Sequence, residues 1–309
     1  MTTGTRALRW PAIPVAGWQD TRDTLQLYTQ VVGKVRTANS PLVNHWWDTT
    51  LRPTARGLTT SLIPHPTGPA FQIDFDFLAS ELVLTTVAGE ERGLSLRPRP
   101  VADFYAEVMR LLEELGVGTE IWPVPVEIPD AIPFPDDHVH SAYDPEAVRR
   151  FWLTLVDITR VLTVFRARFL GKASPVHLFW GALDLATTRF SGRPAPLYTG
   201  RAPNCGPHVM VEAYSHEVSS CGYWAGPPGE EGTFYSYAYP EPPGFRDVAV
   251  APDGARWDDG LAEFVLPYEL VRTAPNPDAV LLDFLQTTYA AAADTAGWDR
   301  VALERPGAS

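Results

Sequence analysis

Cysteine is scarce in this chain: Cys205 and Cys221 are the two among 309 residues. Two widely spaced cysteines exclude a disulfide framework and fit no zinc-ribbon spacing. They read as reduced thiols. Long apolar runs are also missing. No stretch approaches the roughly 18 apolar residues of a membrane helix, and the opening MTTGTRALRWPAIPVAGW has no apolar core of a secretory signal. The expectation is a soluble, cytoplasmic protein. Positive charge is short as well, with 25 Lys and Arg against 37 Asp and Glu and a net charge of −12. A field of that sign repels phosphate backbones and anionic bilayers, so neither nucleic acid nor membrane is an expected partner. The glycine signatures of nucleotide sites are absent. Lys34 is followed by Val35 and Lys172 by Ala173, so neither Gly-Lys pair completes a P-loop, and no GxGxxG or GxSxG is present. No nucleotide cofactor is expected.

Hydrophobic residues make up 45% of the chain and charged residues 20%, a balance that supports a sizeable core. The 30 prolines and 23 glycines cluster. IWPVPVEIPDAIPFPDD (121–137) is too rich in proline for a helix or central strand and reads as an extended connector. Periodicity predicts helices over 20–33, 100–115, 144–170 and 277–293, with Gly33, Gly116 and Gly171 as stops and Asp144 as an N-cap. Strand-like runs fall at 45–51, 57–63, 71–77, 81–87, 92–97, 176–188, 218–224 and 234–239. FQIDFDF alternates apolar and polar, as a half-buried antiparallel strand does.

The two halves read alike: helix, Gly-Lys, Ser-Pro, His, aromatic strand, further strands, helix. Gly33-Lys34, Ser40-Pro41 and His45-Trp46-Trp47 correspond to Gly171-Lys172, Ser174-Pro175 and His177-Leu178-Phe179-Trp180, and FQIDFDF to FYSYAYP. This predicts an α+β fold of two pseudo-repeated halves, each an antiparallel β-sheet flanked by helices. Residues 1–120 form the first repeat, 121–143 the connector, and 144–309 the second repeat with an inserted segment at 190–217.

The insertion and its flank concentrate reactive side chains. If VMVEAYSHEV is helical, Glu212 and His216 lie at i and i+4 on one face, a spacing that suits two ligands of one metal ion. His177 is the candidate third ligand. Two imidazoles and a carboxylate with open positions suit Fe(II) or Zn(II). Arg189 and Arg193, in TRFSGRPAP, could grip an acidic group of a substrate. Glu217 beside His216 could act in general acid–base work, and His45 could face a pocket between the halves. His138 and His140 in DDHVH read as a solvated loop, and His65 as a turn residue. Aromatics are 11% of the chain, and a sheet face rich in Trp and Tyr suits a planar organic ligand.

NHWWDTTLRPTARGLTTSLIP, GKASPVHLFWGALDLATTRFSGRPAP, EAYSHEVSSCGYW and YAYPEPPGF together resemble a bacterial family, domain of unknown function 5996, over nearly the whole chain. The resemblance implies one family-length unit and brings no activity, cofactor or catalytic residue with it. Asp48 stands where the family pattern more often has histidine. The leading expectation is a metal-dependent enzyme that oxidises or hydrolyses a small organic metabolite, an acidic one if the arginines grip it, at His177, Glu212 and His216. The alternatives are a cofactor-free small-molecule-binding protein with an aromatic pocket between the halves, and a structural protein whose sheets form a partner surface.

Overall fold

A computed structural model describes residues 9–226 and 230–307. The opening stretch read for a secretory signal therefore lies partly outside the described residues. Helix α1 (Gln19–Asn39) buries Leu25, Tyr28, Val31, Val32 and Val35, the stripe expected of a 3.6-residue period. It does not stop at Gly33. The indole of Trp180 lies against that glycine so closely that a Cβ would sit 2.4 Å from the ring. Gly33 thus permits a close approach inside the helix rather than ending it, and the helix runs on for one and a half turns.

The chain after α1 departs from expectation. A strand over 45–51 does not form. Asn44–Trp46 make a short 3-10 turn, with His45 at φ 59°. Local side-chain bonds hold it: Asp48 accepts the Val43 N–H at 2.7 Å, and the Thr49 and Thr50 hydroxyls donate back to the Trp46 and Trp47 carbonyls. Such bonds compete with a ladder. Strands β1 (Arg52–Pro53), β2 (Gly57–Thr59), β3 (Phe71–Asp76), β4 (Glu81–Thr86) and β5 (Glu91–Ser95) then form an antiparallel meander in that order. Phe71, Ile73 and Phe75 of β3 are buried, while Gln72, Asp74 and Asp76 are half-buried. Helix α2 (Val101–Glu114) follows Pro100, and Gly116 takes φ 68° just beyond its end.

Asp144 caps α3 (Pro145–Ala167), accepting the Glu146 N–H at 2.9 Å. The helix ends before 170, and Gly171 is not its left-handed cap. Phe169 instead leaves to bridge Glu304, and the Leu170 N–H donates to the Leu303 carbonyl at 2.7 Å. The second sheet contains β6 (His177–Phe179), β7 (Asp184–Pro194), β8 (His216–Trp224), β9 (Thr233–Tyr239), β10 (Arg256–Asp258) and β11 (Glu263–Pro267), in the order β10-β11-β9-β8-β7-β6. Between β7 and β8 lies α4 (Pro207–Ala213). The helix expected over 209–218 therefore stops at Ala213, and His216 opens β8 opposite Pro194. Glu212 and His216 are not one helical turn apart on a shared face. Helices α5 (Tyr268–Thr273), α6 (Pro277–Thr295) and α7 (Arg300–Leu303) complete the described chain. The segments β10, β11 and α5 had no clear periodic signal.

The fold is α+β, with two antiparallel sheets flanked by helices. The sheets meet edge to edge, where Leu51 and Leu178 exchange backbone hydrogen bonds of 3.0 and 2.8 Å. One hydrophobic core runs through both halves. The aromatic strands are not in equal positions: counting from this seam, β3 is third and β9 fourth. Helices α3 and α6 pack on one face of the six-stranded sheet. The proline-rich connector crosses toward the opposite face and is held there by the buried side chain of Gln30. That amide donates to the carbonyls of Val126 and Gly181 and accepts the Val126 N–H at 2.9 Å.

Candidate functional site

Strand alternation decides what each face of the second sheet presents. On β7, Asp184, Ala186, Thr188 and Phe190 point away from the helices, joined by Val218 and Ser220 of β8 and Tyr235 and Tyr237 of β9. They floor a cavity of about 590 Å³, within the range of ligand pockets. Its walls come from α1 (Lys34, Thr37, Ala38), the His45–Thr49 turn, the connector (Trp122, Val126, Glu127) and Trp180. Its roof is α4 and the loop before it. The Trp46 indole N–H donates to the Val209 carbonyl at 3.0 Å and that of Trp180 to Thr49 at 2.6 Å. The roof is tied to the connector, where the Glu127 N–H donates to Pro203 at 2.7 Å and Asn204 donates to Ile128 at 2.8 Å.

The floor carries a hydroxyl network. Thr188 and Ser220 are 2.9 Å apart at their oxygens, and Tyr214 and Tyr237 3.1 Å. Tyr235 donates its phenol proton to the Asp184 carboxylate across Gly222, where a Cβ would stand 2.5 Å from the phenol oxygen. Burial raises the Asp184 carboxyl to about 6 against the opposing Tyr235 bond. Burial, and then the charge of Asp184, raise Glu127 to about 7. Asp184 is half-buried, whereas Glu127 has protein packed around it yet stays exposed where it lines this cavity and an adjoining pocket. Desolvation disfavours their charged forms. Desolvation also lowers Lys34 to about 8. Its ammonium lies 4.7 Å over the ring of Trp122, which is 56% exposed.

An acid raised in the folded state stabilises the protein below its unfolded pKa and loses that contribution as pH rises through the folded one. For Asp184 the window is pH 4 to 6. Asp184→Asn keeps an acceptor for Tyr235 and removes the charge. It should match the native protein at pH 4 and exceed it at pH 7.5 by about 1–2 kcal/mol, a shift of about two pKa units discounted for the open side of the site. Melting temperatures across that window check this, and a variant less stable at pH 7.5 than at pH 4, relative to native, would refute it.

The expected site residues separate into four places. Glu212 and His216 meet at His45. The His45 N–H donates to the Glu212 carboxylate at 3.2 Å, and the two imidazole centres are 5.6 Å apart. His45 Nδ1 faces the Ala213 carbonyl at 3.1 Å, so it carries the proton, and Nε2 accepts from the Lys172 ammonium at 3.0 Å. Burial, with the nearby Lys172 and His216, keeps this imidazole below its usual pKa. The nitrogen that a metal would need is thus already bonded to an ammonium. His177 lies elsewhere: it is fully buried, edge-on to Phe179 at 4.7 Å, and sensitive to the charges of Arg52 and Arg36. His177, Glu212 and His216 do not form one ligand group, and among the described residues no three His, Cys, Asp or Glu side chains do.

Arg189 is on the helix side of β7, 1% exposed, its guanidinium carbon 3.5 Å over the Phe165 ring. It faces the core where Thr188 faces the cavity. Arg193 pairs with Glu217 at 2.7 Å on the surface and donates to Ala296 at 2.8 Å near the end of α6. His140 bonds the buried Asp137 at 2.8 Å, and His65 accepts the Gly68 N–H at 2.7 Å, a turn contact as expected. Lys34, Glu127, Asp184 and Lys172 were not anticipated as site residues. The alternation of FYSYAY was the one local signal pointing to this floor.

The model of a family of unknown function, DUF5996, matches residues 10–305. The chain belongs to this family. No curated protein and no solved structure matches it. In this DUF5996 member no described helix is long and apolar enough to cross a membrane.

Proposed function

We propose that this protein binds a small organic molecule in the cavity between its two halves. The observation that carries the reading is the union of size and chemistry: about 590 Å³ of space walled by Trp, Tyr and Phe, with convergent ionisable groups on its floor and sides. Ligand sites have this composition, an apolar lining with a few placed polar groups. Placement favours binding here over a metal-dependent oxidation or hydrolysis at His177, Glu212 and His216, because His177 lies apart from the other two. The free thiols of Cys205 and Cys221 support a reducing, cytoplasmic setting, and the net charge of −12 supports a small-molecule partner over a nucleic acid.

A neutral planar probe, N-phenyl-1-naphthylamine, tests the reading by fluorescence. It should bind once per chain with a dissociation constant of order micromolar. Ala38 is an exposed helical residue on the cavity wall, so Ala38→Trp should fill space without disturbing the core. It should weaken the probe by about 10-fold or more while leaving the melting temperature unchanged. Absence of binding, or binding indifferent to Ala38→Trp, would sink the proposal.

A further inference from the structure

Three ionisable groups of the cavity have no counter-ion among the described residues. Lys34 is 8% exposed, lines the cavity, and has no hydrogen-bond acceptor or ion pair for its ammonium, only the face of Trp122. Glu127 has no salt bridge and no side-chain donor, and Asp184 has one phenol donor, Tyr235, and no cation. Lys34 is buried, Asp184 half-buried, and Glu127 exposed at the rim. A charge held away from water without a partner is costly, and a cavity that holds one suits a ligand that supplies the partner.

Their arrangement specifies the ligand further. Gly181 backs the Glu127 carboxylate, since a Cβ there would lie 2.0 Å from its Oε1. The Gln30 amide holds Gly181 and Val126 from α1, and Lys34 is the next residue along the same face of that helix, one turn on, about 5.4 Å. The thiol of Cys205 senses both Glu127 and Lys34. An acidic end and a basic group therefore line the same cavity, with indoles beside them. A purely anionic ligand would leave the two carboxyls opposed. A purely cationic one would meet Lys34, and a neutral one would leave all three groups unpaired.

Resting on the reading of the cavity as a binding site, we infer that its ligand is a zwitterion of the aromatic α-amino acid class. Lys34 takes the carboxylate, Glu127 and Asp184 take the ammonium, and Trp122, Trp180 and Tyr235 hold the aromatic body. The ligand ammonium between the two carboxyls favours their ionised forms, so binding near pH 7 releases protons.

Titration calorimetry at pH 7.5 with L-tryptophan, tryptamine, indole-3-propionate and indole tests each charge separately. L-tryptophan should bind at least about 10-fold more tightly than either singly charged analogue, the scale of one charge-assisted hydrogen bond. Lys34→Met should abolish the preference over tryptamine, and Asp184→Asn should reduce the preference over indole-3-propionate. The native protein's selectivity decides the matter even if a variant folds poorly. Equal affinity for L-tryptophan and either singly charged analogue overturns the inference, as does equal affinity for indole. If none of the four binds while N-phenyl-1-naphthylamine still does, the inference falls and the cavity reading stands. If that probe fails too, both fall.

Discussion

Arg189→Ala should destabilise the protein by about 3–5 kcal/mol, the range for truncating a large core side chain. Arg189 is among the largest fully buried side chains of the described residues. Its guanidinium carbon lies 3.5 Å from the centre of the Phe165 ring, 4.1 Å from Tyr289 and 5.1 Å from Phe169. One N–H donates to the Phe165 carbonyl near the end of α3, while Nε and Nη1 have no partner. Burial lowers its pKa to about 10, which still leaves it charged at neutral pH. Truncation opens a hole among three rings and frees a carbonyl at a helix terminus. Arg189→Met fills most of that volume and removes an unpaired buried charge, so it should cost less than about 1.5 kcal/mol. Urea unfolding at pH 7.5 separates the two. An alanine variant within 1 kcal/mol of native, on the order of an ordinary surface change, would show that the aromatic box does not depend on this residue.

His177→Leu should make the protein more acid-resistant, with an effect of up to about 3–5 kcal/mol over the full titration window. Burial, then the charges of Arg52 and Arg36, depress the imidazole from 6.5 to about 3. The unfolded chain therefore takes up a proton that the folded chain refuses between those values. Stability from this group is complete above pH 6.5 and lost as pH falls toward 3. Both ring nitrogens lack partners, so leucine gives up no hydrogen bond and should be near neutral or stabilising at pH 7.5. Asp184 and Glu127 act in the opposite direction, gaining stability as they protonate. The informative quantity is thus the leucine-minus-native difference in unfolding free energy, measured at pH 7.5 and 4.5. That difference should grow by about 2–3 kcal/mol on acidification. A difference independent of pH would mean that His177 does not titrate as a buried neutral group.

Several features were legible in the residues because their causes are local. The alternation of FQIDFDF gave β3 its buried face, Asp144 and Pro145 placed the start of α3, and proline density kept 121–137 free of α-helix and strand. Features with distant causes were not legible. Gly33 reads as a stop until Trp180 is packed upon it. His45 reads as a strand residue until Asp48 and two threonines close the turn beneath it. Glu212 and His216 look like a helical pair, yet they straddle the junction between α4 and β8, where pairing with Pro194 competes with helix. Arg189 reads as a residue that could grip a substrate, and only the side on which α3 and α6 pack sends it into the core and turns its neighbour Thr188 to the cavity.

The amino-acid sequence by itself determined the α+β class, most of the long elements, the family, and the absence of nucleotide-binding motifs. The class and the elements depend on composition and on periods of 2 or 3.6 residues, and the family resemblance and the missing motifs on runs of neighbouring residues, all of which one segment carries alone. Tertiary structure decided which residues share the cavity. Lys34, Glu127 and Asp184 belong to a helix, a connector and a strand far apart in the chain, and what makes them a site is the cavity they line together, which shields Lys34 most and Glu127 least from water. Desolvation is a property of enclosed space, and no single segment encloses any.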